Sequence, residues 1–198
     1  MERLGLLGGT FNPPHIGHLV CAQEAIAQLG LDRVLLVPVN EPPHKELEAD
    51  PGVEHRVELC RRAVADEVRM DVSRLDADVP GPSYTVATLR RLNDERPEAD
   101  LTFVVGGDMA LSLPSWREPG AILELAALGV AEREGTRRID IAERLAGLRG
   151  GDRVQFFDMP RLDISSSLIR RHVASGRPIR HLTPDGVVAY IEEVGLYR

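Results

Sequence analysis

Short apolar runs alternate along the chain with stretches whose apolar positions recur every three or four residues. Residues 3–7 (RLGLL) and 33–39 (RVLLVPV) read as strands. Between them, Ala22, Ile26 and Leu29 stand at helical spacing within 17–29, and Gly30 is placed to stop that helix. Val53, Val57, Cys60 and Val64 stripe a second helix, and 68–73 follows as a strand. Residues 85–96 form a third helix, which Pro97 stops. The run 101–105 (LTFVV) is uninterrupted, as expected for a strand covered on both faces. Further strands are predicted at 128–131 and 154–158, and further helices at 139–148, 166–174 and 185–194. Two proline-containing segments, 38–51 and 79–83, break the rhythm and read as loops over a site.

Strands alternating with helices predict an α/β fold with a doubly wound, Rossmann-like, mostly parallel sheet and helices on both faces. The whole chain, 1–198, reads as one domain. In such sheets ligands bind beyond the carboxyl ends of the strands, so the chemistry is sought in the segments that follow them.

Composition narrows the field of ligands. Lys plus Arg number 24 against 31 Asp plus Glu, a formal charge of -7, which speaks against wrapping a nucleic acid. A small phosphate ligand remains compatible, since it needs only a few local donors. No basic start leads into an apolar run, and no run is long enough to span a bilayer, so neither a secretory signal nor membrane association is expected. The location read from this is cytoplasmic, where Cys21 and Cys60 are expected to be core thiols rather than a disulfide.

The first strand runs into Gly8-Gly9-Thr10-Phe11-Asn12-Pro13-Pro14-His15-Ile16-Gly17-His18. The paired glycines allow a sharp turn and close approach to a ligand. Asn12 and the two prolines delay the helix until about His15, so its N-terminus, with free N–H groups and a positive dipole end, is aimed at the strand tip. His15 and His18 are three apart and can project from one face of the first turn. A plain tight turn would also explain the glycines. Zinc ligation by the histidines lacks HExxH and a third ligand, and neither G-x-G-x-x-G nor a Walker loop is present.

A second candidate lies at Ile164-Ser165-Ser166-Ser167-Leu168-Ile169-Arg170. Serines at a helix start are N-caps that leave hydroxyls and N–H groups for an anion, and Arg170, one turn on, can return to the same oxygens. An ordinary capped helix with a surface arginine would look the same.

Taken together, His15-Ile16-Gly17-His18 and I-S-S-S-L-I-R resemble the two signatures of the H-x-G-H nucleotidylyltransferases. The wording GGTFNPPHIGH is closer still to the nicotinate-nucleotide adenylyltransferase family, and the resemblance runs through to Tyr190-Ile191 and Leu196-Tyr197. Pro42-Pro43-His44-Lys45 looks like the family's acceptor loop, and His55-Arg56 at a helix start also recurs there. Ser83-Tyr84-Thr85, which as structure reads as an N-cap, matches the family's segment beside the nicotinate ring. Gly106, Asp108 and Trp116 fall on matching positions after the apolar strand. Two positions depart: Glu134 stands where the family's V-x-x-R-P-G has proline, leaving Arg133 in place, and Asn12 replaces a commoner aspartate.

The resemblance implies adenylyl transfer from ATP to nicotinate mononucleotide, with release of pyrophosphate and formation of deamido-NAD, a step of NAD biosynthesis. It implies catalytic roles for His15, His18 and Arg170. ATP would lie against Gly8, Gly9, Thr10, Phe11, Gly106, Asp108, Ile164, Ser165 and Ser166 as well, with the acceptor against Lys45, Thr85, Trp116 and Arg133. Magnesium would arrive with ATP rather than occupy a dedicated protein site. The competing readings are a related adenylyltransferase acting on nicotinamide mononucleotide or phosphopantetheine, and a non-catalytic nucleotide sensor. A sensor would be expected to lose a histidine or the serine-rich signature, and both are kept.

Overall fold

The computed structural model describes residues 1–43, 47–132 and 137–198, and the apolar runs of the sequence become six strands of one sheet. In chain order these are β1 (Arg3–Gly9), β2 (Arg33–Pro38), β3 (Met70–Val72), β4 (Asp100–Gly106), β5 (Ala127–Glu132) and β6 (Val154–Asp158). The helices are α1 (Ile16–Gln28), α2 (Val53–Ala63), α3 (Thr85–Glu95), α4 (Gly107–Ser112), α5 (Pro119–Leu125), α6 (Arg138–Leu145), α7 (Ser166–Ala174) and α8 (Asp185–Val194).

The strand order is β3-β2-β1-β4-β5-β6. β1 pairs in parallel with β4, β4 with β5 and β5 with β6, with Leu6 opposite Phe103 and Val130 opposite Phe156. From β1 the order runs outward one way through β2 to β3, and from β4 the other way through β5 to β6. Right-handed crossovers therefore put the two sets of connecting helices on opposite faces. This is the doubly wound, Rossmann-like sheet expected from the sequence, with its reversal of order between β1 and β4.

The chain divides into two compact units. Met1–Gly8, Cys21–Leu35 and Tyr84–Arg161 make up the first, and Gly9–Val20, Leu36–Ser83 and Leu162–Arg198 the second. In the first, five successive residues of β4 are buried, as LTFVV predicts, and α3 packs against α5 through buried side chains that include Leu89, Leu92, Ile122 and Leu123. Each such leucine contributes about 1.5–3 kcal/mol on burial. In the second, α2 packs on α8, with Val57, Leu59, Cys60, Val187 and Ile191 inside.

Most element boundaries fall within two or three residues of the sequence pattern. β3 begins two residues late because Val68, which the pattern would place in the strand, sits exposed in a turn. α4, α5 and the 3-10 turn Leu113–Ser115 were not anticipated. α4 has only six residues, too few to show a helical period, whereas α5 does carry a start signal, Pro119 at its first position. Both cysteines are buried thiols not joined in a disulfide, and burial pushes the Cys60 thiol well above the usual range. Among the described residues no helix is long and apolar enough to cross a membrane.

Candidate active site

In the second unit the chain leaves β1 through Gly9 and Thr10 and turns at Phe11, whose backbone is left-handed at φ 49°. That conformation is costly for a bulky residue, and complete burial of the ring holds it there. The turn delivers Pro13, Pro14 and His15 to the start of α1. His15 donates its backbone N–H to Nδ1 of His18 at 3.1 Å, so the second histidine caps its own helix. With Nδ1 accepting, the imidazole of His18 carries its hydrogen on Nε2, which is then a donor. The two rings stack with centroids 3.7 Å apart at 29°, and the edge of Phe11 closes on His18 at 5.0 Å. Glycine at the third position of H-x-G-H has a steric cause: a Cβ on Gly17 would lie 3.0 Å from His15 Nδ1.

One expectation needs correcting. The N–H groups at this helix start are not all free, because Ile16 N–H is taken by the carbonyl of Leu182 at 3.1 Å.

The serine-rich segment is joined to this loop. Ser165 is the N-cap of α7, its Oγ accepting from Leu168 N–H at 3.2 Å. Ser166 Oγ donates to the carbonyl of Pro13 at 2.7 Å, and Thr183 Oγ1 to that of Pro14 at 2.7 Å. Arg170 donates to the Asn12 carbonyl at 2.9 Å and to Ser167 Oγ at 3.3 Å, with Glu48 at 3.5 Å. The serine hydroxyls are therefore mostly engaged in building the segment, rather than left over for an anion as the sequence suggested. Ile164 lies half-buried in the extended stretch before α7.

Sequence reasoning missed the residue that organises the floor of this region. Arg56, 1% exposed on α2, donates to the carbonyls of Thr10 (3.1 Å), Val39 (2.6 Å) and Asn40 (2.8 Å) and to Asp50 Oδ1 (2.9 Å). Only its match to a family position pointed to it, since hydropathy places arginine outside.

In the first unit, Gly8 ends its part of β1 exposed, and Gly106 ends β4 as the N-cap of α4. A Cβ on Gly106 would stand 2.8 Å from Asp108 Oδ1, so the glycine clears space for that exposed carboxylate. Trp116 is half-buried; its Nε1–H donates to Ser112 Oγ at 3.0 Å and its ring meets Phe103 edge-on at 6.1 Å, which fixes the indole. Thr85 is the first residue of α3, but the N-cap is Tyr84 and no side chain caps that end. Ser83, expected there, accepts instead from Asn40 N–H at 2.9 Å because the loops at 38–41 and 79–83 bond to each other. Arg117 lies over the Tyr84 ring at 4.8 Å. Lys45 and Arg133 lie outside the described residues, as does Glu134.

Charge separates these helices from the others. α2, α4, α6 and α8 each carry an acidic residue in the first turn, while α1, α3, α5 and α7 carry none, and of these α5 has the acidic Glu118 as its N-cap. The positive dipole ends of α1, α3 and α7 are thus left without a first-turn carboxylate, which suits an anion.

The cytidylyltransferase-like family matches residues 6–172. A protein of Roseiflexus sp. (strain RS-1), named "Probable nicotinate-nucleotide adenylyltransferase", is 47% identical over 98% of this chain and 98% of its own length. One of Tropheryma whipplei (strain Twist) with the same name is 41% identical over 97% and 98%. The chain belongs to the nicotinate-nucleotide adenylyltransferase family. Its fold is also that of the Plasmodium falciparum nicotinic acid mononucleotide adenylyltransferase solved with NaAD, at a TM-score of 0.80 and 17% identity, covering 100% of this chain and 98% of that one.

Proposed function

We propose that the protein transfers the adenylyl group of ATP to nicotinate mononucleotide. The acceptor phosphate attacks the α-phosphorus in line; the new phosphoanhydride gives deamido-NAD as the bond to pyrophosphate breaks. Because the nucleophile is already anionic, catalysis is positioning and charge stabilisation. The observation that carries the reading is the direct bonding of the two signatures, Ser166 to Pro13 and Arg170 to Asn12, within a chain 47% identical to a relative of that name.

His18 presents Nε2–H to the α-phosphate and His15 braces it by stacking. Arg170 and the start of α7 hold the leaving pyrophosphate, while Gly8, Gly9, Thr10, Phe11, Gly106 and Asp108 line the nucleotide. Thr85 and Trp116, with Lys45 and Arg133, serve the acceptor. Magnesium would come with ATP, carried by phosphate oxygens and water. Bound in that way, the ion supplies neutralisation of phosphate charge. Two buried cysteine thiols support a cytoplasmic location.

Pure protein with ATP, magnesium and nicotinate mononucleotide should release pyrophosphate and form a dinucleotide. The uncapped N-terminus of α3, with no carboxylate in its first turn, favours the acid over the amide acceptor. A charge-assisted hydrogen bond of about 1.5–3 kcal/mol predicts a kcat/KM ratio of roughly 10–150 against nicotinamide mononucleotide. No turnover on any mononucleotide would remove the enzyme reading; a ratio near one would remove only the α3 contact. Phosphopantetheine belongs in the same panel as the nearest rival acceptor.

Arg170→Ala should raise KM for ATP by about 10-fold or more, as loss of a charge-assisted contact implies, with little change toward the acceptor. A loss confined to acceptor KM would contradict its assignment to the leaving phosphates.

A further inference from the structure

We propose that Tyr197, next to the last residue of the chain, is a positioning residue for Arg170 that acts through Asn12. The phenol donates to Asn12 Oδ1 at 2.7 Å. Asn12 is 2% exposed, and its Nδ2–H donates to the carbonyl of Glu48 at 3.1 Å, so both ends of the amide are fixed and its orientation is determined. The backbone carbonyl of the same residue accepts from Arg170 Nη1 at 2.9 Å, and the Glu48 carboxylate stands 3.5 Å from Nη2. Among the described groups beside the guanidinium, the Asn12 carbonyl belongs to the residue that Tyr197 holds, Glu48 is tied to the Asn12 amide through its backbone carbonyl, and Ser167 comes from α7 itself.

Tyr197 is well suited to the task. Its backbone is left-handed at φ 63°, following Gly195 at φ 74°, so the chain end curls back after α8. Burial pushes the phenol above its usual range, with Arg170 pulling the other way, so it stays protonated and remains a donor to Asn12. Its hydroxyl is held on Asn12 rather than presented to a ligand. Without that donor a buried acceptor loses its partner, the amide is released to turn, and the Asn12 carbonyl and Glu48 shift under Arg170.

The proposal rests on the assignment of Arg170 to the phosphates of ATP, and the test reads that binding directly. Titration of magnesium ATP into protein without acceptor gives Kd, and steady-state assays give KM for each substrate. Tyr197→Phe keeps the ring and should weaken ATP by about 2–10-fold, the worth of one neutral hydrogen bond, with acceptor KM within about twofold. Asn12→Ala, which removes the acceptor end, should show the same split. In an Arg170→Ala background Tyr197→Phe should add less than about 1.5-fold, because the two act on one contact.

Unchanged ATP affinity in Tyr197→Phe overturns the proposal, as does an equal loss toward both substrates or an undiminished effect in the Arg170→Ala background. If Tyr197→Phe does not fold, Asn12→Ala decides; if neither folds, the contact is structural only and the proposal fails. Wild-type protein that binds no ATP would take down the adenylyl-transfer reading and this one together. An ATP Kd that weakens in Tyr197→Phe but not further in the Arg170→Ala background, with no turnover in the wild type, would leave the positioning role standing and the reaction refuted.

Discussion

Replacing His18 with alanine should lower kcat by about 10²–10³-fold while leaving a folded protein, the loss expected when one preorganised donor is taken from a charged transition state. The expectation follows from the direction of one hydrogen bond. Nδ1 of His18 accepts from the His15 N–H, which fixes the neutral tautomer and leaves Nε2–H as the donor. A phosphorus centre gathering charge is stabilised by a donor already in place, which need not reorganise during the reaction. The same residue also caps α1, and loss of a cap costs about 0.5–2 kcal/mol, too little to unfold the chain. His18→Asn separates the two contributions. Its carbonyl oxygen can again accept from the His15 N–H, but no ring nitrogen reaches the Nε2 position. Stability should return towards wild type in that variant and kcat should not. Near-normal kcat in the alanine variant would remove His18 from the chemistry, and recovery of kcat in the asparagine variant would reduce its role to capping.

The parts of this site that were legible in the sequence are those that depend on short spacing. H-x-G-H places two imidazoles on one turn, and the structure adds why the glycine is there: the His15 ring lies against its α-carbon. The run LTFVV announced a strand buried on both faces, and β4 is one. Ser165 was read as a cap and is one, but Ser83 was not, because its hydroxyl serves a loop 43 residues back at Asn40. That failure is general in kind. A serine before a helix offers the same hydroxyl whether it turns to the helix or away, and only the tertiary neighbour decides. The link between Tyr197 and Asn12 spans 185 residues and leaves no periodic trace. α4 was hidden by its length, whereas α5 could have been found from Pro119.

Arg56 gives the second large effect, on stability rather than on rate. Arg56→Ala should destabilise the fold by about 3–5 kcal/mol, the usual cost of breaking one side of a buried, hydrogen-bonded charge pair. The guanidinium is 1% exposed and bonds to three backbone carbonyls and to Asp50, whose side chain is 28% exposed. Truncation strands all of these acceptors in a space that water enters poorly, so the loss exceeds that of a surface ion pair. Thr10 follows β1, and Val39 and Asn40 follow β2, so one side chain on α2 ties together the loops leaving two strands. Lysine cannot replace it: an ammonium lacks the planar fork that reaches several acceptors in fixed directions, and Arg56→Lys should recover only a minor part. For a chain of this size each kcal/mol moves Tm by about 2–4 °C, which predicts a fall of roughly 6–20 °C for the alanine variant. Calorimetry with the wild type alongside reads it directly. A shift of less than about 2 °C would mean that water or a neighbouring donor replaces the guanidinium, a replacement that is costly where four acceptors converge on one buried site.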